Sequence, residues 1–121
     1  MKSRAIEIMD TTLRDGEQTS GVAFPAGEKL ALAQLLLNEL QVDRIEIASA
    51  RVSEGELKAV KEISSWAKKE NKLHQIEVLT FLDGGPSLQW MQETEVITQN
   101  LLTKGSLNHL KHQLKQTPEA H

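Results

Sequence analysis

Residues 10–18 read Asp-Thr-Thr-Leu-Arg-Asp-Gly-Glu-Gln, and they bring Asp10, Arg14, Asp15, Glu17 and Gln18 into one short segment. A carboxylate is a hard oxygen ligand suited to Mg²⁺, Mn²⁺ or Zn²⁺. An adjacent arginine offers a fixed positive fork to a carboxylate or to a developing oxyanion. Gly16 permits a sharp turn or a close backbone approach. A solvated polar loop with local ion pairs would use the same residue types. Position is what favours chemistry. The segment follows directly on a predicted strand, and α/β architectures bind ligands at the carboxyl ends of parallel strands.

The elements that must hold this segment alternate along the chain. Strands are predicted at residues 5–9, 43–48, 75–82 and 95–102. A helix enters at Phe24-Pro25-Ala26-Gly27-Glu28, with proline at or near its first position and an acid in its first turn. Leu30, Ala33, Leu37 and Leu40 recur at helical spacing, widened by Leu32, Leu35 and Leu36. Ser53-Glu54-Gly55-Glu56 has capping-box spacing, and the helix behind it turns Leu57, Val60, Ile63 and Ala67 inward. Asp83-Gly84-Gly85-Pro86 is a turn before a short helix around Ser87–Glu93. Ser106 is the expected N-cap of a helix over Leu107–Lys115. Strand followed by helix, four times over, means right-handed βαβ units and a parallel sheet.

Composition narrows the function classes. The chain has 121 residues, 39% hydrophobic, with a formal net charge of −3. Such a chain is too apolar for intrinsic disorder, and it lacks any apolar run of about 18 residues that could span a membrane. A slightly acidic chain with two Trp and two Phe is not built as a nucleic-acid binder. Zero cysteines exclude a disulfide scaffold, a thiolate metal site and a cysteine nucleophile. The charged N-terminus has no secretory h-region, so a cytoplasmic location is expected.

Asp10-Thr-Thr-Leu-Arg-Asp-Gly-Glu-Gln-Thr, then Gly21-Val-Ala-Phe and a helix carrying Glu28-Lys29, resembles the signature of the 2-isopropylmalate, homocitrate and citramalate synthase family. The likeness continues through Asp43-Arg-Ile-Glu-Ile-Ala-Ser-Ala-Arg-Val-Ser and Gly55-Glu56-Leu57. Asn100-Leu-Leu-Thr-Lys-Gly-Ser-Leu-Asn-His-Leu resembles the citramalate-type branch in particular. The resemblance covers essentially the whole chain. It implies an α/β fold, the N-terminal half (about four βα units) of a TIM (β/α)₈ barrel. It also implies that residues 1–121 are the N-terminal portion of a pyruvate carboxyltransferase-like catalytic barrel. The chemistry implied is a Claisen condensation of acetyl-CoA with a small α-keto acid, pyruvate or 2-oxoisovalerate. A divalent metal (Mg, Mn or Zn) would chelate the keto acid. The open edges of a half-barrel lead to an expected homo-oligomer, a dimer, and the composition to no nucleic-acid or membrane partner. A small α/β metal- or keto-acid-binding module without catalysis, and a fragment of a related acyl-CoA lyase or carboxyltransferase, are the other readings.

By motif position the resemblance makes Asp15 the metal ligand and Arg14 the catalytic residue that stabilises charge on the keto oxygen or enolate. Gln18 would hydrogen-bond around the keto acid, and Asp10 would brace the loop. Glu46, between Ile45 and Ile47, is expected to face the barrel interior as a substrate-pocket acid; a structural ion pair with Arg44 or Arg51 is its competing role. Leu79 and Leu102, near strand ends, would line the pocket for the keto acid's alkyl group or serve as ordinary core. Bulky leucines there suit pyruvate over a branched acid.

Other residues are expected to be bland. Lys104 follows the fourth strand and is read as a solvated lysine, with a CoA phosphate as its other possible contact. His109 and His112 are three apart on a helix, a spacing that can hold a metal, but surface histidines are expected. Trp66 and Trp90 are read as helix-to-sheet packing. The family's later His-x-His metal pair, remaining strands and regulatory domain are missing from these residues. Thr117-Pro118-Glu119 reads as a helix start. The expectation is therefore an incomplete part of an enzyme, inactive alone, with open sheet edges that favour self-association.

Overall fold

The computed structural model describes residues 5–115, together with Thr117 and Glu119. Four strands form one parallel sheet in consecutive order: β1 (Met9–Asp10), β2 (Arg44–Ser49), β3 (Ile76–Phe81) and β4 (Thr98–Leu102). Each strand is followed by a helix: α1 (Ala26–Gln34), α2 (Glu54–Lys69), α3 (Pro86–Thr94) and α4 (Leu107–His109). This is the arrangement expected of the first four units of a TIM-barrel-type domain.

Helix starts follow local chemistry. Pro25 is the N-cap of α1, one position before the helix, and Ala26 opens it. Ser53 caps α2 by accepting from the Glu56 backbone N–H at 3.1 Å. The reciprocal half of a capping box is absent, because the Glu56 carboxylate turns to Lys29 instead. Asp83 organises the start of α3, accepting from the Ser87 and Gly85 backbone N–H groups and the Ser87 hydroxyl. Gly85 precedes that helix at a φ of 148°, a left-handed region that favours glycine. Ser106 caps α4 through the His109 N–H.

The core lies between the sheet and helices α1–α3. Ile45, Ile47, Ile76 and Val78 meet Ala33, Leu37, Val60, Ile63, Ala67, Trp90 and Met91 there. Trp66 and Leu57 pack against the same cluster while partly exposed. Two expected inward residues differ. Leu40 is 67% exposed and Leu35 53% exposed. The reason is that α1 continues as a π turn over Leu35–Glu39, with Leu40 N–H bonded to the Leu35 carbonyl. The wider turn slows the rotation per residue and carries Leu40 off the apolar stripe, whereas Leu35, two residues after Ala33, already lies on the opposite side of an ordinary helix. The helix of α4 likewise passes into a π turn over Leu110–Leu114.

Strand boundaries also shift. β1 is two residues, not the expected 5–9, although the Ile8 carbonyl still accepts from the Asp43 and Arg44 N–H groups. Ile6 and Ile8 are exposed, so no apolar burial extends the strand toward the N-terminus. β4 begins at Thr98, because Glu95 sits in the left-handed region at a φ of 62° and closes α3 before pairing begins. The helix-start signal at Thr117-Pro118-Glu119 includes Pro118, which lies outside the described residues, as does His121. Among the described residues, no helix is long and apolar enough to cross a membrane.

Candidate active site

The loop after β1 is wound tightly by its own residues. Asp10 accepts from the Thr12 N–H at 2.9 Å and from the Thr12 hydroxyl at 3.0 Å. The Thr11 carbonyl accepts from the N–H groups of Arg14, Asp15 and Gly16. Leu13, 1% exposed, pins the turn to the core, so the polar residues on either side project away from it. Gly16 is not required here by sterics: a Cβ would meet Thr12 at 3.5 Å, an ordinary contact. Gly16 lies within the turn, its N–H bonded to the Thr11 carbonyl and its carbonyl accepting from the Thr19 N–H, without a positive φ.

Arg14 is thereby placed over the sheet face that a barrel turns inward. Its Nε donates to Glu46 Oε1 at 2.5 Å. Glu46, on β2, is 2% exposed, and its other oxygen accepts from the Asn100 amide on β4 at 2.6 Å. The same amide reaches the Met9 sulfur of β1 at 4.0 Å. One carboxylate thus joins the loop and two strands. The competing partners Arg44 and Arg51 are engaged elsewhere, Arg44 with Glu77 and Arg51 with Asp83. Both Glu46 oxygens are bonded, so in this arrangement the carboxylate holds the Arg14 guanidinium in orientation.

Asp15 stands beside Arg14, with Oδ1 at 3.2 Å from its Nη1 and a side chain 63% exposed. It can offer a hard oxygen to a divalent cation, as one ligand of a set. Among the described residues, no group of three His, Cys, Asp or Glu side chains could complete that set. Gln18 is exposed and lines a cleft of about 310 Å³ together with Arg14, Glu17, Ser49 and Glu56. Ser49 reaches this cleft through a bulge in β2. Glu46 stands opposite Glu77, but Ala48 stands opposite Val78 and Ser49 opposite Leu79. The extra residue flips the alternation, so Ser49 shares the face of Leu79. Leu79 is half-buried on that face, and Leu102, two residues beyond Asn100, is 39% exposed.

Residues outside this group behave differently. Lys104 donates to Gln113 at 3.0 Å, fastening the strand exit to the turn after α4. His109 pairs with the Ser106 hydroxyl at 2.8 Å, and His112 is exposed. Two features were not anticipated from sequence. Asn100 enters the site because it alternates with Leu102 on one face of β4, a signal the strand pattern contains. Lys29, only 1% exposed, lies under the loop against Glu17 and Glu56. Its signal is the spacing Lys29, Ala33, Leu37, which puts a lysine at the head of the buried stripe. Burial, the largest cause, together with the neighbouring Glu17 carboxylate, holds the Glu56 carboxyl above its usual range against the pull of the Lys29 ammonium.

Comparison with known proteins decides the lineage. Residues 5–120 match the family described as HMGL-like. The chain belongs to the HMGL-like family. Within it, the chain is 37% identical over 115 residues to an (R)-citramalate synthase from Methanocaldococcus jannaschii, covering 94% of this chain and 22% of that protein. It is 35% identical over 117 residues to a 2-isopropylmalate synthase from Pyrococcus furiosus, covering 97% of this chain and 23% of that protein. A 2-isopropylmalate synthase from Caulobacter sp. (strain K31) is 33% identical over 120 residues, covering 95% of this chain and 22% of the relative. The chain therefore spans less than a quarter of the length of these HMGL-like relatives.

Proposed function

We propose that this chain forms the keto-acid-facing part of an acyl-CoA-dependent condensing enzyme that joins acetyl-CoA to a small α-keto acid. The observation that carries this reading is the Arg14 guanidinium, held by the buried Glu46 at the carboxyl ends of the strands. A guanidinium has five N–H donors. Glu46 engages Nε and Asp15 one N–H of Nη1, which leaves both N–H groups of Nη2 and the second of Nη1 to meet a ligand.

In the proposed reaction the acetyl methyl carbon loses a proton and attacks the keto carbon. A carbon–carbon bond forms, and the keto π electrons move to oxygen, which then takes a proton. Water cleaves the thioester and releases the CoA thiol. Arg14 donates hydrogen bonds to the oxygen on which charge develops. Glu46 and Asn100 fix the direction of that donation. Asp15 would supply one oxygen ligand to a divalent cation, which would lend Lewis acidity toward the keto carbonyl if further ligands completed its site. Gln18 hydrogen-bonds at the rim of the cleft. Leu79 and Leu102 limit the space for the acceptor's alkyl group, which favours pyruvate and hence citramalate as product. The reading carries with it a cytoplasmic location and a homo-oligomer.

Thiol release from acetyl-CoA tests this, measured on the complete polypeptide that carries these residues, with pyruvate and with 2-oxoisovalerate as acceptors. Faster release with pyruvate is the expected result. Preference for the branched acid overturns the citramalate assignment, and no release with either acceptor overturns the condensing reading.

A further inference from the structure

Beneath the loop, one buried ammonium gathers three parts of the fold. Lys29 Nζ of α1 lies 2.6 Å from Glu17 Oε2 of the loop. It lies 2.5 Å from Glu56 Oε1 of α2, and 3.4 Å from the Ile47 carbonyl of β2. The ammonium donates to Glu56 and to the Ile47 carbonyl, and Glu17 joins it as an ion pair. The other Glu17 oxygen accepts from the Phe24 N–H at 3.0 Å, so the loop is tied at both ends of its path into α1. The Ile47 carbonyl belongs to the bulge between Glu46 and Ala48. The same strand segment therefore carries Glu46, which orients Arg14, and receives Lys29.

We infer that Lys29 is a positioning residue: by anchoring Glu17 to the β2 bulge and α2, it sets the loop that presents Arg14 and Asp15. This deepens the proposed function and rests on it for its catalytic meaning. Lys29 touches neither Arg14 nor Asp15. Its effect passes through Glu17, two residues from Asp15, and through β2. The tie is built where apolar packing would be the default, since the rest of the stripe, Ala33 and Leu37, is apolar. Buried ion pairs are weak contributors to net stability, yet they fix geometry because each N–H and lone pair has a direction.

The test separates geometry from charge balance, using amide hydrogen exchange and the side-chain Nε–H signal of Arg14 by NMR on the 121-residue chain. Lys29→Met leaves two carboxylates without their cation and is expected to destabilise the whole fold. The deciding variant is Lys29→Met/Glu17→Leu/Glu56→Leu, which removes the charges and the hydrogen bonds together. A positioning role predicts that the strand amides of Ile76 and Val78 keep their protection in this triple variant. The Gln18 and Thr19 amides then exchange about tenfold faster, and the Arg14 Nε–H signal is lost. Recovery of loop protection and of the Arg14 signal overturns the inference, because Lys29 would then only balance charge. Equal loss of protection in loop and strands also overturns it, because Lys29 would then be a general stabiliser. Neither readout uses substrate, so failure of thiol release would sink the proposed function and leave this result standing.

Discussion

At the scale of single residues, the site depends on one buried carboxylate facing two donors. Glu46 is held by Arg14 and Asn100, and both contacts join elements far apart in sequence. In the proposed reading, specificity is set by different residues on the same face, Leu79 and Leu102. Leu79→Ala and Leu102→Ala each open room beside the acceptor's alkyl group. Each is expected to move acceptor preference toward 2-oxoisovalerate by roughly 10-fold or more, corresponding to about 1–3 kcal/mol per methylene accommodated. The check is the ratio of kcat/KM values for the two acids in thiol release; an unchanged ratio in both variants would remove these leucines from the pocket.

At the scale of elements, helix entrances position the strands' functional ends. Ser53→Ala removes the α2 cap and is expected to cost about 1 kcal/mol, read as a lower denaturant midpoint with an unchanged slope. At the α3 entrance, the Ser87 hydroxyl is the largest cause holding the Asp83 carboxyl well below its ordinary range, assisted by the Ser87 N–H, Arg51 and the Gly85 N–H. A depressed folded-state value means that this stabilisation is fully present above about pH 4 and is lost as pH falls below it. Ser87→Ala is therefore expected to lower stability at neutral pH and to flatten the acid limb of the stability curve. An acid limb as steep as the parent's would contradict that assignment. The alternation of strands and helices was legible because local periodicity and caps encode it, as at Ser53 and Pro25. The π turn after α1 and the bulge at Ile47 were not, because both depend on pairing and packing across the sheet. For the same reason Glu46 was legible as an inward acid, while its partners Arg14 and Asn100 were not.

At the scale of the molecule, two strands of the sheet have one neighbour each among the described residues. β1 is short, but β4 presents Leu101 and Leu102 at 53% and 39% exposure, with Ile97 at 65% just before it. Unpaired strand edges beside exposed apolar side chains favour pairing with another chain. Sedimentation of the 121-residue chain is expected to show concentration-dependent association; a clean monomer across the range would contradict it. The family's barrel pattern makes these edges intelligible, and the interior face they bound is where Arg14, Glu46 and Asn100 meet. In the proposed reaction this meeting point handles charge on a keto acid. The most direct measurement is kcat for thiol release by the complete polypeptide with Arg14→Ala against the parent. A fall of roughly 10²–10³ is predicted, the usual consequence of deleting one preorganised donor, whereas an unchanged kcat would contradict the account.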